Sequence, residues 1–116
     1  MAIQNKRTSR RFDSLNLLAY SVYDSDGAIS KQGMGRTLNV SQSGVLLETH
    51  QPMDINQRVD LTLGLEEDLV DIKGIAVYSR EGKEGRFETG IRFEEIDDKQ
   101  KKVLDAFIRD FGGQSA

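Results

Sequence analysis

The sequence predicts a mainly β domain, a six-stranded antiparallel barrel followed by one C-terminal α-helix. Six short segments rich in apolar, β-branched and aromatic residues alternate with turn-forming stretches, which is typical of antiparallel sheets. The apolar period then changes to that of a helix near the C-terminus. A chain of 116 residues is large enough for one domain with a single core. We expect the barrel and helix to occupy residues 13–111, with a flexible arm at 1–12 and a disordered tail at 112–116.

The six predicted strands follow one another through short connections. They cover residues 15–24, 35–40, 45–49, 58–65, 70–80 and 86–93. The fourth alternates cleanly and places four residues on one face: Val59, Leu61, Leu63 and Leu65. The stretch "DSDGAISKQG" at 24–33 contains the turn signal Asp-Gly and predicts a hairpin loop. Gly74 stands where the alternation of the fifth strand slips, which indicates a bulge or a bend.

The C-terminal segment has the pattern of an amphipathic helix. Its apolar residues form one stripe: Val103, Leu104, Phe107, Ile108 and Phe111. Asp97 is the predicted N-cap, with Gln100 as its capping-box partner. Gly112 and Gly113 are expected to end the helix. A helix with one apolar face must bury that face, so we expect it to pack on the barrel.

The composition argues against several classes of enzyme. Cysteine is absent, which excludes disulfides and thiolate metal sites. His50 is the only histidine, so no multi-histidine metal site can form. It stands in a polar connection, where a catalytic triad would lack its other members. No Walker-type phosphate loop is present. We therefore predict a protein that is not an enzyme and that holds neither a metal nor a cofactor.

The sequence also predicts a location. No run approaches the roughly 20 apolar residues that a membrane-spanning helix needs. No apolar segment follows the basic N-terminal residues, so a secretory signal is not expected. We predict a cytoplasmic protein without membrane insertion.

The basic residues are distributed unevenly along an acidic chain. Asp and Glu number 19 against 16 Lys and Arg, yet the first twelve residues contain no anion and four cations: Lys6, Arg7, Arg10 and Arg11. Without those four, 12 basic residues face 19 acidic ones, a net charge of −7. A local excess of positive charge indicates an arm that binds an anion. The alternative is a solvated terminus without a ligand.

A second signal is "NVSQSG" at 39–44, between the second and third predicted strands. Asn39 and Ser41 offer an amide and a hydroxyl two residues apart, which puts both side chains on one face of an extended backbone. Gly44 closes the turn, where a positive φ or a close backbone approach is expected. The segment predicts a cluster of hydrogen-bonding groups. The alternative is an Asx- or Ser-turn that only shapes the loop.

Together the two segments read R-x-x-x-R, at Arg7 and Arg11, then 27 residues, then N-x-S-x-x-G. This pair of motifs resembles that of the PilZ domain family, which binds the bacterial second messenger cyclic di-GMP. Phe12, the apolar "GVLLET", the late strands "GIAVYSR" and "GIRF" and the closing helix all fall in the family's order. The resemblance covers nearly the whole chain and implies a PilZ-type barrel.

The resemblance also implies which residues bind the ligand. They are Arg7, Arg11, Asn39, Ser41 and Gly44. Lys6 occupies the position where, in the family, an arginine favours a stacked pair of nucleotides; lysine keeps the charge but lacks the planar fork. Tyr78 falls roughly where some members place an aromatic that stacks on the ligand, and packing on the barrel is the alternative. Arg10 adds general attraction for anions.

The chemistry of these side chains suits cyclic di-GMP, which presents two phosphodiester anions and two guanines. The arginine fork pairs with phosphate or a guanine edge, and its face stacks on a base. Asn39 and Ser41 would add hydrogen bonds to a guanine edge or to phosphate. Charged hydrogen bonds contribute roughly 1.5–3 kcal/mol each, so a handful supports micromolar binding, about −8 kcal/mol.

We therefore expect a stand-alone cyclic di-GMP receptor or adaptor whose N-terminal arm becomes ordered over the barrel on binding and which signals to an unidentified protein partner. One alternative is a barrel that binds single-stranded nucleic acid. Such proteins combine a basic groove with several exposed aromatics, whereas this chain has no tryptophan and is acidic without its arm, so nucleic acid is not an expected partner. The other alternative is a PilZ-like scaffold that binds only proteins, as family members without the motifs do.

Overall fold

The computed structural model describes residues 17–65 and 68–115, which form a closed antiparallel barrel and one helix. The strands are β1 (Leu17–Tyr23), β2 (Ile29–Val40), β3 (Gly44–Thr49), β4 (Arg58–Leu65), β5 (Asp68–Glu81) and β6 (Phe87–Phe93), and the helix α1 spans Asp98–Ser115. Their order around the barrel is β1-β2-β3-β6-β5-β4, and β4 closes the ring by pairing with β1. The predicted fold class is confirmed.

Alternating residues of the strands fill the barrel interior. The buried residues of β1 and β4 are Leu18, Tyr20, Val22, Val59, Leu61 and Leu63. They alternate with more exposed neighbours, so the predicted alternation of β4 is confirmed for its first three apolar residues. In the described part of the chain each strand pairs with two neighbours, and apolar side chains fill the interior, so a ligand site lies on the barrel's outer surface or at its ends.

Helix α1 packs against β4 and β5. The stripe that contacts the core comprises Val103, Leu104, Phe107 and Ile108. The capping box is confirmed, because the Gln100 N–H donates to Oδ1 of Asp97 at 2.7 Å and the Asp97 N–H donates to Oε1 of Gln100 at 2.8 Å. Among the described residues, no helix combines the length and the apolar character required to cross a membrane.

Strand β2 begins earlier than the sequence predicts. The expected loop over 24–33 is only a tight turn, with Gly27 at φ +85°, and β2 starts at Ile29 instead of residue 35. Asp24 holds the turn by accepting the N–H groups of Asp26 and Ala28 at 2.9 and 3.0 Å. The first half of β2 is largely exposed on both faces, so it lacks apolar alternation and is defined only by its pairing with β1.

The prediction of a bulge or bend at Gly74 is wrong, because the bulge of β5 lies further along the strand. Gly74 is buried in phase with Ile72 and Ala76, and the register of β5 on β6 shifts later, between Ala76 and Tyr78. Gly74 is instead a packing position, because a Cβ there would come 2.6 Å from Cγ2 of Ile91.

The predicted end of the helix is also wrong. The backbone stays helical through Gly112 and Gly113 to Ser115. Glycine costs a helix about 1 kcal/mol relative to alanine, but it keeps the backbone donor and does not block the helical conformation. Two glycines after more than three turns of helix therefore weaken the last turn without ending it.

Candidate ligand-binding site

An open depression lies across the neighbouring strands β2, β3, β6 and β5, with a volume of about 360 Å³. The predicted site residues that the structure describes all line it: Asn39, Ser41, Gly44 and Tyr78. The remaining predicted site residues lie outside the described residues: Lys6, Arg7, Arg10 and Arg11. The barrel topology brings Tyr78 to the same depression as Asn39, Ser41 and Gly44, although Tyr78 lies more than thirty residues later in the sequence.

Two bulges turn side chains toward the depression. The register of β2 on β3 shifts between Thr37 and Asn39, so that Thr37 is buried and Asn39 is exposed although a regular strand would put both on one face. The register of β5 on β6 shifts between Ala76 and Tyr78 in the same way. Ala76 is fully buried, whereas Tyr78 is 41% exposed. Each bulge presents outward a side chain that strict alternation would bury.

Asn39 and Ser41 are exposed and carry polar atoms that a ligand can reach. Oδ1 of Asn39 accepts the N–H of Val40 at 2.9 Å, and its Nδ2 has no partner among the described residues. Oγ of Ser41 accepts the N–H of Ser43 at 3.2 Å and lies 3.0 Å from the hydroxyl of that residue. These contacts form a Ser-turn, so Ser41 also shapes the loop, as one of the sequence-based interpretations proposed.

Gly44 is required by a close backbone approach and not by its φ, which is not positive. A Cβ at this position would overlap the carbonyl oxygen of Ile91 on β6. Of the two expected reasons for Gly44, the close approach is confirmed. The loop is also held by its backbone, since the Ser41 N–H donates to the Gly44 carbonyl and the Phe93 N–H donates to the Ser43 carbonyl, each at 2.9 Å.

Tyr78 lies against β6 opposite Gly90, its register partner. A Cβ at Gly90 would come 2.5 Å from Cε2 of Tyr78, so the ring rests on backbone that has no side chain. The guanidinium of Arg80 lies 6.0 Å from the ring centroid and donates to Glu88 at 2.9 Å. That hydrogen bond, and then the charge of Glu88, raise the pKa of Arg80 above its usual value. Tyr78 thus packs on the barrel and still exposes part of its ring to the depression.

One side chain of the loop connects the depression to the helix. Nε2 of Gln42 donates to Oδ1 of Asp105 on α1 at 2.8 Å. The two residues are 63 positions apart, so this contact joins elements that are otherwise separate in the sequence. Because Gln42 lies between Ser41 and Ser43, the contact fixes the middle of the loop.

Among the lining residues that sequence reasoning did not single out are Val77 and Arg92. Val77 sits at the β5 bulge and is 41% exposed. Arg92 follows Ile91 in "GIRF", where alternation already places it outward, but only the register of β6 on β3 sets it opposite Gly44. The described residues hold no group of three or more acidic or histidine side chains that could bind a metal ion.

Residues 5–110 match the model of the PilZ domain family. The chain therefore belongs to the PilZ domain family, a family of cyclic di-GMP receptor domains. The matched range includes both sequence motifs and ends within α1. Comparison with curated proteins by sequence finds no significant match.

Solved structures with this fold have little sequence in common with the chain. The PilZ domain of CeSA from a cellulose-synthesizing bacterium matches with a TM-score of 0.54 at 17% identity, over 86% of this chain and 94% of that domain. MrkH of K. pneumonia in its apo state matches with a TM-score of 0.58 at 12% identity, over 84% of this chain and 47% of MrkH. The MrkH–c-di-GMP complex matches with a TM-score of 0.56 at 11% identity. The chain thus spans about half the length of MrkH, and at these identities the likeness shows the fold.

Proposed function

We propose that this domain binds cyclic di-GMP in the depression described above. The observation that carries the proposal is that the N-x-S-x-x-G residues and Tyr78 line one depression on the barrel surface. Asn39 and Ser41 would bind a guanine edge or a phosphate, and the ring of Tyr78 would stack on a base. Family membership supports the same ligand, and one of the similar structures is a complex of MrkH with it.

In this proposal Arg7 and Arg11 supply the charge that neutralises the ligand. Strand β1 begins at Leu17 opposite Arg36, and Asn39 lies three residues further along β2. Strand spacing and rise place the start of β1 roughly 11 Å from Asn39. Arg11 precedes Leu17 by six residues, which span up to roughly 20 Å when extended. Both arginines can therefore reach the depression, Arg11 with the shorter connecting segment.

The proposal includes an output. The arm at 1–12 is cationic and poor in apolar residues, so it gains little from packing on the barrel until an anion is bound. Binding would then fix the arm over the depression, and Phe12 and the start of β1 would take one fixed position on the barrel. Such a transition is the kind of change that a protein partner recognises. We propose that this domain passes the signal to a partner in this way.

Titration calorimetry with cyclic di-GMP tests the function, and cyclic di-AMP is the matched control ligand. We expect a dissociation constant in the micromolar range, about −8 kcal/mol, and much weaker binding of cyclic di-AMP. The two bases differ in the donor and acceptor character of their edges, so adenine would leave polar groups of the site unpaired. Equal affinity for both ligands would mean that the site recognises only phosphate.

Titration with a single-stranded oligonucleotide, compared with that of cyclic di-GMP, separates the proposal from its two alternatives. A nucleic-acid module would bind a single-stranded oligonucleotide more tightly than the dinucleotide and with a steeper salt dependence, because more phosphates are contacted. A scaffold that binds only proteins would bind neither ligand. We expect cyclic di-GMP to bind and the oligonucleotide to bind weakly.

A further inference from the structure

Arg92 is the one charged side chain among the described residues that line the depression. The others are apolar or neutral and polar, and no carboxylate is among them. The surrounding chain has the opposite balance, since it carries a net charge of −7 once the four arm cations are set aside. The depression is therefore a site of local positive charge on an acidic domain.

The guanidinium of Arg92 is less engaged than those of three other exposed arginines. Arg36, Arg58 and Arg80 each donate to a carboxylate at 2.9–3.3 Å. Within residues 17–65 and 68–115, the one ion-pair partner of Arg92 is Glu94, whose Oε2 lies 4.0 Å from its Nη1, and the side chain of Arg92 is 60% exposed. An exposed ion pair of this length contributes little. The planar fork of Arg92 is thus available to another anion.

The backbone holds Arg92 beside the motif residues. Strand β6 is paired on both sides, so that Arg92 lies between Gly44 of β3 and Ile75 of β5. Its chain neighbours Ile91 and Phe93 are buried in the core. A cation on a paired strand is already positioned, and it loses less conformational freedom on binding than a cation on an unpaired segment.

We infer that Arg92 is a further ligand-binding residue of this depression and that it holds one phosphodiester of the bound cyclic dinucleotide. The guanidinium fork matches two phosphate oxygens and forms charge-assisted hydrogen bonds with them. The neutral groups of Asn39, Ser41 and Tyr78 would then be free to recognise the base. This inference rests on the proposed function and adds a cation from the barrel to those of the arm.

The test is calorimetry with cyclic di-GMP on wild type, Arg92→Gln and the matched control Arg109→Gln at several salt concentrations. Arg109 is an exposed arginine of α1 outside the depression, so its replacement removes the same charge elsewhere. We expect Arg92→Gln to bind roughly ten- to a hundredfold more weakly, the loss of one charged hydrogen-bonding group. Its affinity should also depend less on salt, because one phosphate contact is lost.

Arg109→Gln is expected to change the affinity by less than about threefold, since Arg109 is exposed, does not line the depression and has its charge screened by salt. Circular dichroism melting verifies that each variant is folded. If Arg92→Gln is not folded, Arg92→Lys takes its place, with an intermediate loss of affinity and a salt dependence like that of wild type as the expected result.

Several results would overturn the inference. Wild-type binding with an unchanged affinity in Arg92→Gln would overturn it alone and leave the proposed function standing. Weaker binding with an unchanged salt dependence would assign Arg92 to the base and not to a phosphate. An equal loss in Arg109→Gln would show that only overall charge matters. A wild-type protein that does not bind cyclic di-GMP would overturn the proposed function and this inference together.

Discussion

At the level of single residues, glycines on β3 and β6 determine how closely the walls of the depression approach one another. The absence of a side chain at Gly44 lets the loop end lie on the carbonyl of Ile91. The absence of one at Gly90 lets the ring of Tyr78 lie on the strand backbone. Both contacts shape the surface on which Asn39 and Ser41 stand. A motif glycine can therefore be essential without contacting a ligand.

Gly44→Ala is expected to destabilise the fold. The new Cβ overlaps the Ile91 carbonyl, and backbone cannot give way as a flexible side chain would. A loss of roughly 1–3 kcal/mol follows from such overpacking, which lowers the melting temperature by several degrees for a domain of this size. Ser43→Ala in the same loop removes an exposed hydroxyl and its contact with Ser41 but introduces no overlap, and it serves as the control. A melting temperature of Gly44→Ala equal to that of wild type would show that β3 and β6 accommodate the new Cβ without loss of stability.

Arg7→Ala and Arg11→Ala are each expected to weaken cyclic di-GMP binding by at least about tenfold, the equivalent of one charged hydrogen bond. Neither should move the melting temperature much, because the segment "KRTSRR" offers no apolar side chain to the core. Arg10→Ala is the matched control and should have a smaller effect. If Arg11→Ala unfolded the domain while the folded fraction still bound ligand normally, Arg11 would be structural.

At the level of elements, the sequence predicts best what is buried on one side only. The alternation of β4 and the stripe of α1 are visible because each element has one apolar face. The start of β2 is exposed on both faces and shows no such pattern. The bulges before Asn39 and Tyr78 depend on pairing between strands, as does the position of Arg92 opposite Gly44. Local sequence carries no signal for that pairing.

The contact between the loop and α1 also belongs to this level. We expect Gln42→Ala and Asp105→Ala to increase amide hydrogen exchange at Ser43, because each removes the hydrogen bond that ties the loop to the helix. The bond is exposed, so the free energy of unfolding should fall by no more than about 1 kcal/mol. The double variant should resemble either single variant. Additive effects would mean that the two residues act separately.

At the level of the whole molecule, the closed barrel provides a fixed surface, and we propose that the N-terminal arm provides most of the positive charge that binds the ligand. The motifs, the barrel and the closing helix follow from the sequence. The depression cannot be predicted from the sequence, because it forms across β2, β3, β6 and β5, whose order in the barrel differs from their order along the chain. Strand β3 neighbours β6, which lies about forty residues later in the chain. Only this topology places Tyr78 near Asn39.

The arm provides the molecular-scale prediction. We expect backbone order parameters of residues 1–12 to rise on saturation with cyclic di-GMP from below about 0.6 to near 0.85, the value of a rigid backbone. The described lining of the depression has no carboxylate, so the ligand's two negative charges supply the attraction for the cationic arm at that place. Amides of β4, which lies away from the depression, serve as the internal reference. An arm that is rigid without ligand, or that stays mobile at saturation, would contradict the proposed output.

The position of the bound ligand is the central claim, and an NMR titration with nitrogen-15-labelled protein tests it most directly. Cyclic di-GMP should shift the amide resonances of the depression and of the arm, including those of Asn39, Ser41, Tyr78 and Arg92. Resonances at the hairpin turn 24–28, which is not part of the depression, should stay unchanged. Saturating shifts confined to that turn or to α1, with none at the depression, would contradict the account.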